Sequence, residues 1–414
     1  MKILVYGANF APEPTGIGKY TGEMAGWLVE QGHEVRAVVA PPYYPNWEVA
    51  KEYRRPLFRR EHWKGVDVWR APLWVPKSPT GVTRVLHLIS FALASFPVML
   101  RQVFWSPDLV VSVAPAFVCA PIALLVARLS GAQAWLHVQD FEVDLAFRMN
   151  LLKGKMLQRV ILRMERLVLR RFDNVSSISS RMVKRLLEKG VPEHRITFFP
   201  NWVDISHITP NANPSNYRSQ LGIAQEAVVA LFSGTLGGKQ GLMVIPAAAT
   251  SLAGRQDIVF VVCGDGVMKP QLQAACADLP NTRFIPLQPF ARLGELLCMA
   301  DIHLLPQNID AEDLVLPSKL SGMLASGKPV VATCKAGTEL NEVVSACGIV
   351  VEPEESGALA DAIVRLADDT ALRTALGRAG RAYAEEYFER GAVLERMFAP
   401  LAGGEESIPD DIAA

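Results

Sequence analysis

The sequence predicts an α/β chain made of two doubly wound domains, each a mostly parallel sheet covered by helices. Three observations predict it. Short apolar runs that read as buried strands alternate with longer stretches of helical periodicity from the first residues onward. The series is interrupted once, by a stretch at 205–217 rich in Asn, Ser and Pro, and then begins again. The length of 414 residues is too great for one ordinary core and suits two of roughly 200 residues each. The expected division is 1–204 for the first domain, 205–218 for a linker and 219–380 for the second domain. A helix over 381–400 could pack back on the first domain, and an acidic tail at 401–414 is expected to fray.

Half the residues are apolar and a fifth are charged, which excludes a disordered chain. Net charge is zero, but residues 1–200 hold 27 Lys and Arg against 16 Asp and Glu, and the remainder hold 15 against 26. Such halves could attract each other across a cleft, or the basic half could face an anionic membrane or a phosphorylated acceptor. Nothing reads as a nucleic-acid module. Six widely spaced cysteines read as small core residues in a reducing compartment. Neither Cys-x-x-Cys nor His-Glu-x-x-His occurs, so no metal is expected. Met1 and Lys2 lead straight into a strand, which argues against a signal peptide and for a cytoplasmic location.

Residues 2–6 read as a strand, Gly7–Gly16 as a loop, Gly18–Glu30 as a helix and Glu34–Val39 as the next strand. Gly16, Ile17 and Gly18 stand just before the helix, where missing side chains let a ligand approach the backbone; glycines that merely shape a turn are the alternative. The dinucleotide fingerprint Gly-x-Gly-x-x-Gly is absent. Residues 41–64 read as a basic and aromatic loop suited to an acceptor or a membrane surface. Tyr44 and Trp47 in this loop, with Asn201 at the domain exit, are acceptor-side candidates. After the strand Val66–Arg70, the apolar run Leu86–Leu100 is short for a bilayer span. It reads as a helix buried on one face, able to touch lipid on another, and kinked or ended by Pro97. Strand Val110–Val113 and helix 116–129 lead to strand 132–138, which delivers His137 and Asp140 where a strand runs out into a loop, the usual ligand position. A histidine can give or take a hydrogen bond near neutral pH; a satisfied core histidine is the alternative. A basic amphipathic helix over 153–171 is solvated on its charged face or faces phospholipid. Strands at 174–178 and 196–199, with a helix between, complete the domain.

The second domain offers strands Val228–Phe232, Ile258–Val262, Thr282–Ile285, Ile302–Leu304, Val330–Ala332 and Gly348–Val351. Two glycine-rich loops follow the first two. Gly234, Thr235, Lys239 and Gln240 in one could hold phosphates, and Gly264 in the other could pack near a nucleotide base. The stretch 312–332 combines an acidic loop, Leu316, a helix opened by Pro317, Ser318 and Lys319 in its first turn, an apolar side at Leu320, Met323 and Leu324, and a stop at Gly327. A loop, a helix N-terminus and a lysine suit a diphosphate.

Seven segments, taken in order, carry a resemblance: Gly16-Ile17-Gly18, Pro200–Asp204, Ser233–Gly241, Gly264-Asp265-Gly266, Ala300–Pro306, Pro317-Ser318-Lys319 and Ala325–Val331. Over nearly its whole length the chain resembles the retaining glycosyltransferases of family 4, with the GT-B fold of two Rossmann-like domains facing across a cleft. It is most similar to the colanic-acid fucosyltransferase subgroup, sharing Leu316–Leu320 and Ala336–Leu340. The resemblance implies that the second domain binds a nucleoside diphosphate sugar, with Lys239 and amides near Leu316–Lys319 on its diphosphate. It implies that Gly16–Gly18 closes over phosphates and the anomeric region, that His137 touches the transferred sugar, and that Asp140 orients His137 or the acceptor. The donor is then a co-substrate and no metal cofactor is expected. The family's glutamate pair would fall at Leu314 and Gly322, and neither is acidic here. The family's arginine and lysine in the diphosphate loop match Thr235 and Gln240.

The reaction so implied is transfer of a sugar, with GDP-fucose the preferred donor, to a lipid-linked saccharide of exopolysaccharide biosynthesis, at the inner face of the bacterial membrane. A UDP-hexose or UDP-N-acetylhexosamine donor, a nucleotide-sugar epimerase and a non-catalytic sugar-nucleotide-binding assembly protein stay open as alternatives.

Overall fold

A computed structural model describes residues 1–399 except 15, 56, 78–80, 115–116, 142–154, 211–215 and 310–315. The described chain divides between Phe199 and Pro200 into two units. The first contains an eight-stranded sheet in the order β3-β4-β2-β1-β5-β6-β7-β8. Its strands are β1 (Lys2–Gly7), β2 (Glu34–Val39), β3 (Arg59–Trp63), β4 (Val66–Arg70), β5 (Leu109–Ala114), β6 (Gln133–Val138), β7 (Asn174–Ser177) and β8 (Ile196–Phe198). All neighbours pair in parallel except β3 with β4. Its main helices are α1 (Gly16–Glu30), α2 (Gly81–Gln102), α3 (Ala120–Ser130), α4 (Lys155–Leu169) and α5 (Ser180–Glu188).

Strand order reverses at β1, so right-handed crossovers place α1 on one face of the sheet and α2 to α5 on the other. One core cluster accordingly joins Leu4, Tyr6 and Leu136 of the strands to Phe91 and Met99 of α2, Ala123 of α3, Leu169 of α4 and Leu186 of α5. The strands of the parallel part are buried on both faces, which explains their continuous apolar runs.

Two expectations need correction. Residues 41–64 are not all loop, because Arg59–Trp63 forms the antiparallel edge strand. Its residues pair Arg60 with Asp67 through two hydrogen bonds of 2.7 and 2.9 Å, so a sequence of charges still makes a strand. Pro97 does not end its helix, since α2 runs on to Gln102. Pro97 is exposed and the Leu93 carbonyl it leaves unbonded belongs to an exposed residue, where water can serve it.

The second unit holds a six-stranded parallel sheet in the order β11-β10-β9-β12-β13-β14. These are β9 (Val228–Ser233), β10 (Ile258–Cys263), β11 (Thr282–Ile285), β12 (Ile302–Pro306), β13 (Val330–Thr333) and β14 (Gly348–Val351). Helix α6 (Lys319–Ala325) precedes β13 and buries Leu320, Met323 and Leu324. Helix α7 (Arg390–Phe398) belongs to this unit, and the amides of Val203 and Arg390 tie it to the exit segment by bonds to Phe388 and Val203 carbonyls of 2.8 and 3.2 Å.

Candidate active site

In the second unit the strand order reverses between β9 and β12, and the loops leaving those strands flank the crevice where open α/β sheets bind ligands. Lys319, in the first turn of α6, reaches this place. Its Nζ lies 4.3 Å from the centre of the Phe232 ring on β9. It has no carboxylate partner among the described residues. Burial without a counter-charge pushes its pKa down to about 8. Among the described residues no carboxylate neutralises this partly desolvated ammonium.

The glycine loop is built around this lysine. Gly234 has φ +136°, and a Cβ there would stand 2.8 Å from Lys319 Cε and 2.9 Å from Nζ. Gly264 answers to a different need. A Cβ there would lie 1.9 Å from the Gly234 carbonyl oxygen, so a glycine at 264 lets the second loop pack against the first. Three backbone bonds stitch the loops: Gly234 N–H to Cys263 O at 2.9 Å, Leu236 N–H to Asp265 O at 2.8 Å and Met268 N–H to Leu236 O at 3.0 Å. Thr235 is exposed. Gln240 lies in the short turn Gly238–Gln240, with its Oε1 buried and without a partner. Lys239 lies in the same turn, and its side chain is outside what the structure describes. Leu316 and Pro317 are half-buried, and Ser318 is exposed at the N-cap of α6.

Position 322, where the family places its second glutamate, faces apolar side chains. A Cβ on Gly322 would meet Leu297 Cδ1 at 3.4 Å and Ile208 Cδ1 at 3.7 Å. The first glutamate position, Leu314, with Glu312 and Asp313, lies outside the described residues.

In the first unit the loop after β1 is held by a buried carboxylate that the sequence reading missed. Glu13 Oε1 accepts from the amides of Tyr43 and Tyr44 at 3.2 and 3.1 Å, and Oε2 accepts from Asn9 Nδ2 at 3.0 Å. A Cβ on Gly18 would lie 2.2 Å from Glu13 Oε2, so Gly18 makes room for this carboxylate. Gly16 (φ +66°) abuts the ring of Tyr44, while Ile17 O accepts from Thr21 Oγ1. Tyr44 is exposed, and Trp47 (φ 53°) sits against Tyr43 with ring centres 5.8 Å apart. The only local sign of Glu13 is a charge between Pro12 and Pro14 in a loop that follows a buried strand.

His137 is 3% exposed on β6, its ring 4.8 Å from that of Phe199. Trp135 Nε1 donates to Ser176 Oγ at 2.9 Å, and His137 Nδ1 lies 2.9 Å from the same oxygen. The hydroxyl can donate to Nδ1, which leaves the imidazole proton on Nε2. Burial pushes the His137 pKa down to about 3, so it is a neutral group and not an acid or base at neutral pH. Asp140 is exposed beyond the strand. Asn201 at the exit has its Oδ1 buried without a partner. Among the described residues no group of three His, Cys, Asp or Glu could hold a metal.

Two family models match: "Glycosyl transferase 4-like domain" over residues 15–202 and "Glycosyl transferases group 1" over 227–369. The chain is 41% identical over 97% of its length to WcaI of Escherichia coli (strain K12), matching all of it; the name of that protein ascribes it to colanic acid biosynthesis as a glycosyl transferase. It is 25% identical over 96% of its length to a GDP-mannose-dependent phosphatidylinositol monomannoside mannosyltransferase of Mycolicibacterium smegmatis, matching 98% of that protein. Sucrose-phosphate synthase from Thermosynechococcus elongatus superposes with a TM-score of 0.72 at 17% identity, over 97% of this chain and 98% of that one. Anabaena Alr3699/HepE, solved with UDP-glucose, gives 0.67 at 17% identity over 98% and 100%. These likenesses establish the GT-B fold.

Proposed function

The chain belongs to glycosyltransferase family 4, and from that premise we propose that it moves fucose from GDP-fucose to a hydroxyl of a lipid-linked saccharide, with retention, in exopolysaccharide biosynthesis at the inner face of the cell membrane. The observation that carries the donor half is Lys319, an ammonium without a carboxylate partner among the described residues, at the strand-order reversal of the second unit. A nucleoside diphosphate supplies the missing negative charge, and Lys319 stabilises that charge as it grows on the leaving group. The acceptor half rests on the first unit, which offers the neutral His137, the exposed Tyr44 and Trp47, whose ring packs on Tyr43.

In this reading the bond from the anomeric carbon to the diphosphate oxygen breaks as the acceptor oxygen bonds to the same face of that carbon. The acceptor hydroxyl's proton passes to the departing diphosphate oxygen. His137, neutral throughout, gives a hydrogen bond from Nε2 to a sugar hydroxyl and does not carry the proton. GDP-fucose is preferred through the resemblance of Leu316–Leu320 and Ala336–Leu340 to the colanic-acid fucosyltransferase subgroup.

The test is an assay with radiolabelled GDP-fucose and lipid-linked saccharides extracted from a strain that accumulates unfinished exopolysaccharide units. The expected product is a labelled fucosyl lipid that keeps the β-anomeric configuration of the donor and that Lys319→Ala protein fails to form. Transfer from UDP-glucose alone would remove fucose from the reading, and release of free fucose without any labelled lipid would remove the lipid acceptor.

A further inference from the structure

The outer surface of the helical layer α2–α3–α4 combines features that a solvated face does not. The sequences of α2 and α3 contain no Asp or Glu, and α4 contains one, Glu165. That one is turned inward, in a buried ion pair of 2.6 Å with Lys189. Large apolar side chains point outward on all three helices: Leu93 is 71% exposed on α2, Leu129 57% on α3 and Leu167 59% on α4. Just past α2, Phe104 is 91% exposed. Helix α2 with its extension, Val82–Trp105, is long and apolar enough to cross a bilayer by length and composition, yet Phe91 and Met99 tie it into the core. It is therefore a surface helix with an unusually apolar outer side.

Between α3 and α4 lies a groove of about 450 Å³. Its floor and walls are Pro121, Leu124, Leu125, Leu167 and Val168, and Arg128 and Arg171 complete the lining. Arg128 is in the last turn of α3, and Arg171 is two residues past the end of α4. Both helices return antiparallel to the strands, so the two guanidinium groups mark the same end of the groove. Neither has an acidic partner among the described residues.

We propose that this layer docks on an anionic bilayer and that the α3–α4 groove takes one phospholipid, its acyl chain along the leucines and its phosphate on Arg128 and Arg171. Charge complementarity selects the occupant: an apolar channel closed at one end by two unpaired cations fits a chain that ends in a phosphate. The absence of any outward carboxylate on the three helices removes the repulsion that an anionic surface would otherwise meet. This deepens the membrane location proposed above by naming the surface and the lipid, and it does not depend on the donor.

The test is sedimentation of the full chain with vesicles that contain no saccharide acceptor. Wild-type protein is expected to pellet with phosphatidylcholine vesicles containing phosphatidylglycerol and to stay in solution with phosphatidylcholine alone. The double variant Arg128→Gln with Arg171→Gln should bind about 10- to 30-fold more weakly. Leu167→Asp should also release the protein. Transfer to a short-chain, water-soluble acceptor should be unchanged in these variants, which separates the docking surface from the active site. Pelleting that is equal for the double variant and wild type overturns the proposal, as does wild-type binding only after a polyprenyl diphosphate saccharide is added to the vesicles. Loss of all transfer with vesicle binding intact would instead count against the enzymatic reading and leave the lipid groove standing.

Discussion

Lys319 carries a charge that no carboxylate among the described residues neutralises. Replacing it with alanine should weaken binding of a nucleoside diphosphate sugar by about 10- to 100-fold, the worth of one or two charge-assisted hydrogen bonds, as read by calorimetric titration. The sign with pH follows from its pKa of about 8 in the free protein. The diphosphate favours the protonated amine, so affinity should be steady below pH 8 and fall as pH rises through it; the Lys319→Ala protein should lack this fall. Lys319 was legible in the sequence because Pro317 signals a helix start; the helix begins two residues later than the proline, at Lys319 itself with Ser318 as its N-cap, which still leaves the lysine in the first turn. Glu13 was not, because the amides it receives belong to Tyr43 and Tyr44, 30 and 31 residues further on, and no local pattern announces such a pairing. Glu13→Ala would strand those two amides and the Asn9 side chain, and should cost about 3 kcal/mol of unfolding free energy, measured by urea denaturation. His137 was legible as a position but not as a chemical state. Only the structure places Ser176 and Phe199 around it and makes it a neutral donor.

At the level of elements, two glycine loops and one short helix make the proposed donor side. Gly234→Ala would both strain a backbone at φ +136° and press on Lys319, so donor binding should weaken while the fold is retained. Circular dichroism beside a donor titration distinguishes the two effects: loss of the folded spectrum would mean that the loop supports the domain rather than the ligand. Almost every strand of the parallel sheets could be read from sequence, since strands buried on both faces are short unbroken apolar runs. β3 could not, because an edge strand is free to carry Arg, Glu and His. The missing family glutamate also becomes intelligible at this scale. Gly322 stands against Leu297 and Ile208, so the first atom of any side chain placed there meets apolar neighbours.

Across the whole molecule, the two units each bury a neutral histidine in a central strand. His137 and His303 are both held near pKa 3, by burial in each case, with Lys328 adding to the effect at His303. Below about pH 6.5 the unfolded chain binds protons at these positions that the native chain does not. Stability from this source is thus complete above pH 6.5 and is lost progressively as pH falls toward 3. The urea midpoint should be lower at pH 5 than at pH 7, and His303→Gln, which keeps a polar group near Ser326 Oγ, should reduce that difference. The charge asymmetry between the halves was equally plain in the sequence, but composition alone could not say that the first unit keeps its carboxylates off one helical surface.

Titration of purified wild-type and Lys319→Ala protein with GDP-fucose, beside UDP-glucose and free GDP, bears most directly on the proposed chemistry. GDP-fucose should bind wild-type protein more tightly than UDP-glucose, and the Lys319→Ala change should remove most of that affinity. Binding of GDP-fucose that is indifferent to Lys319, or no binding of any donor by folded protein, would contradict it.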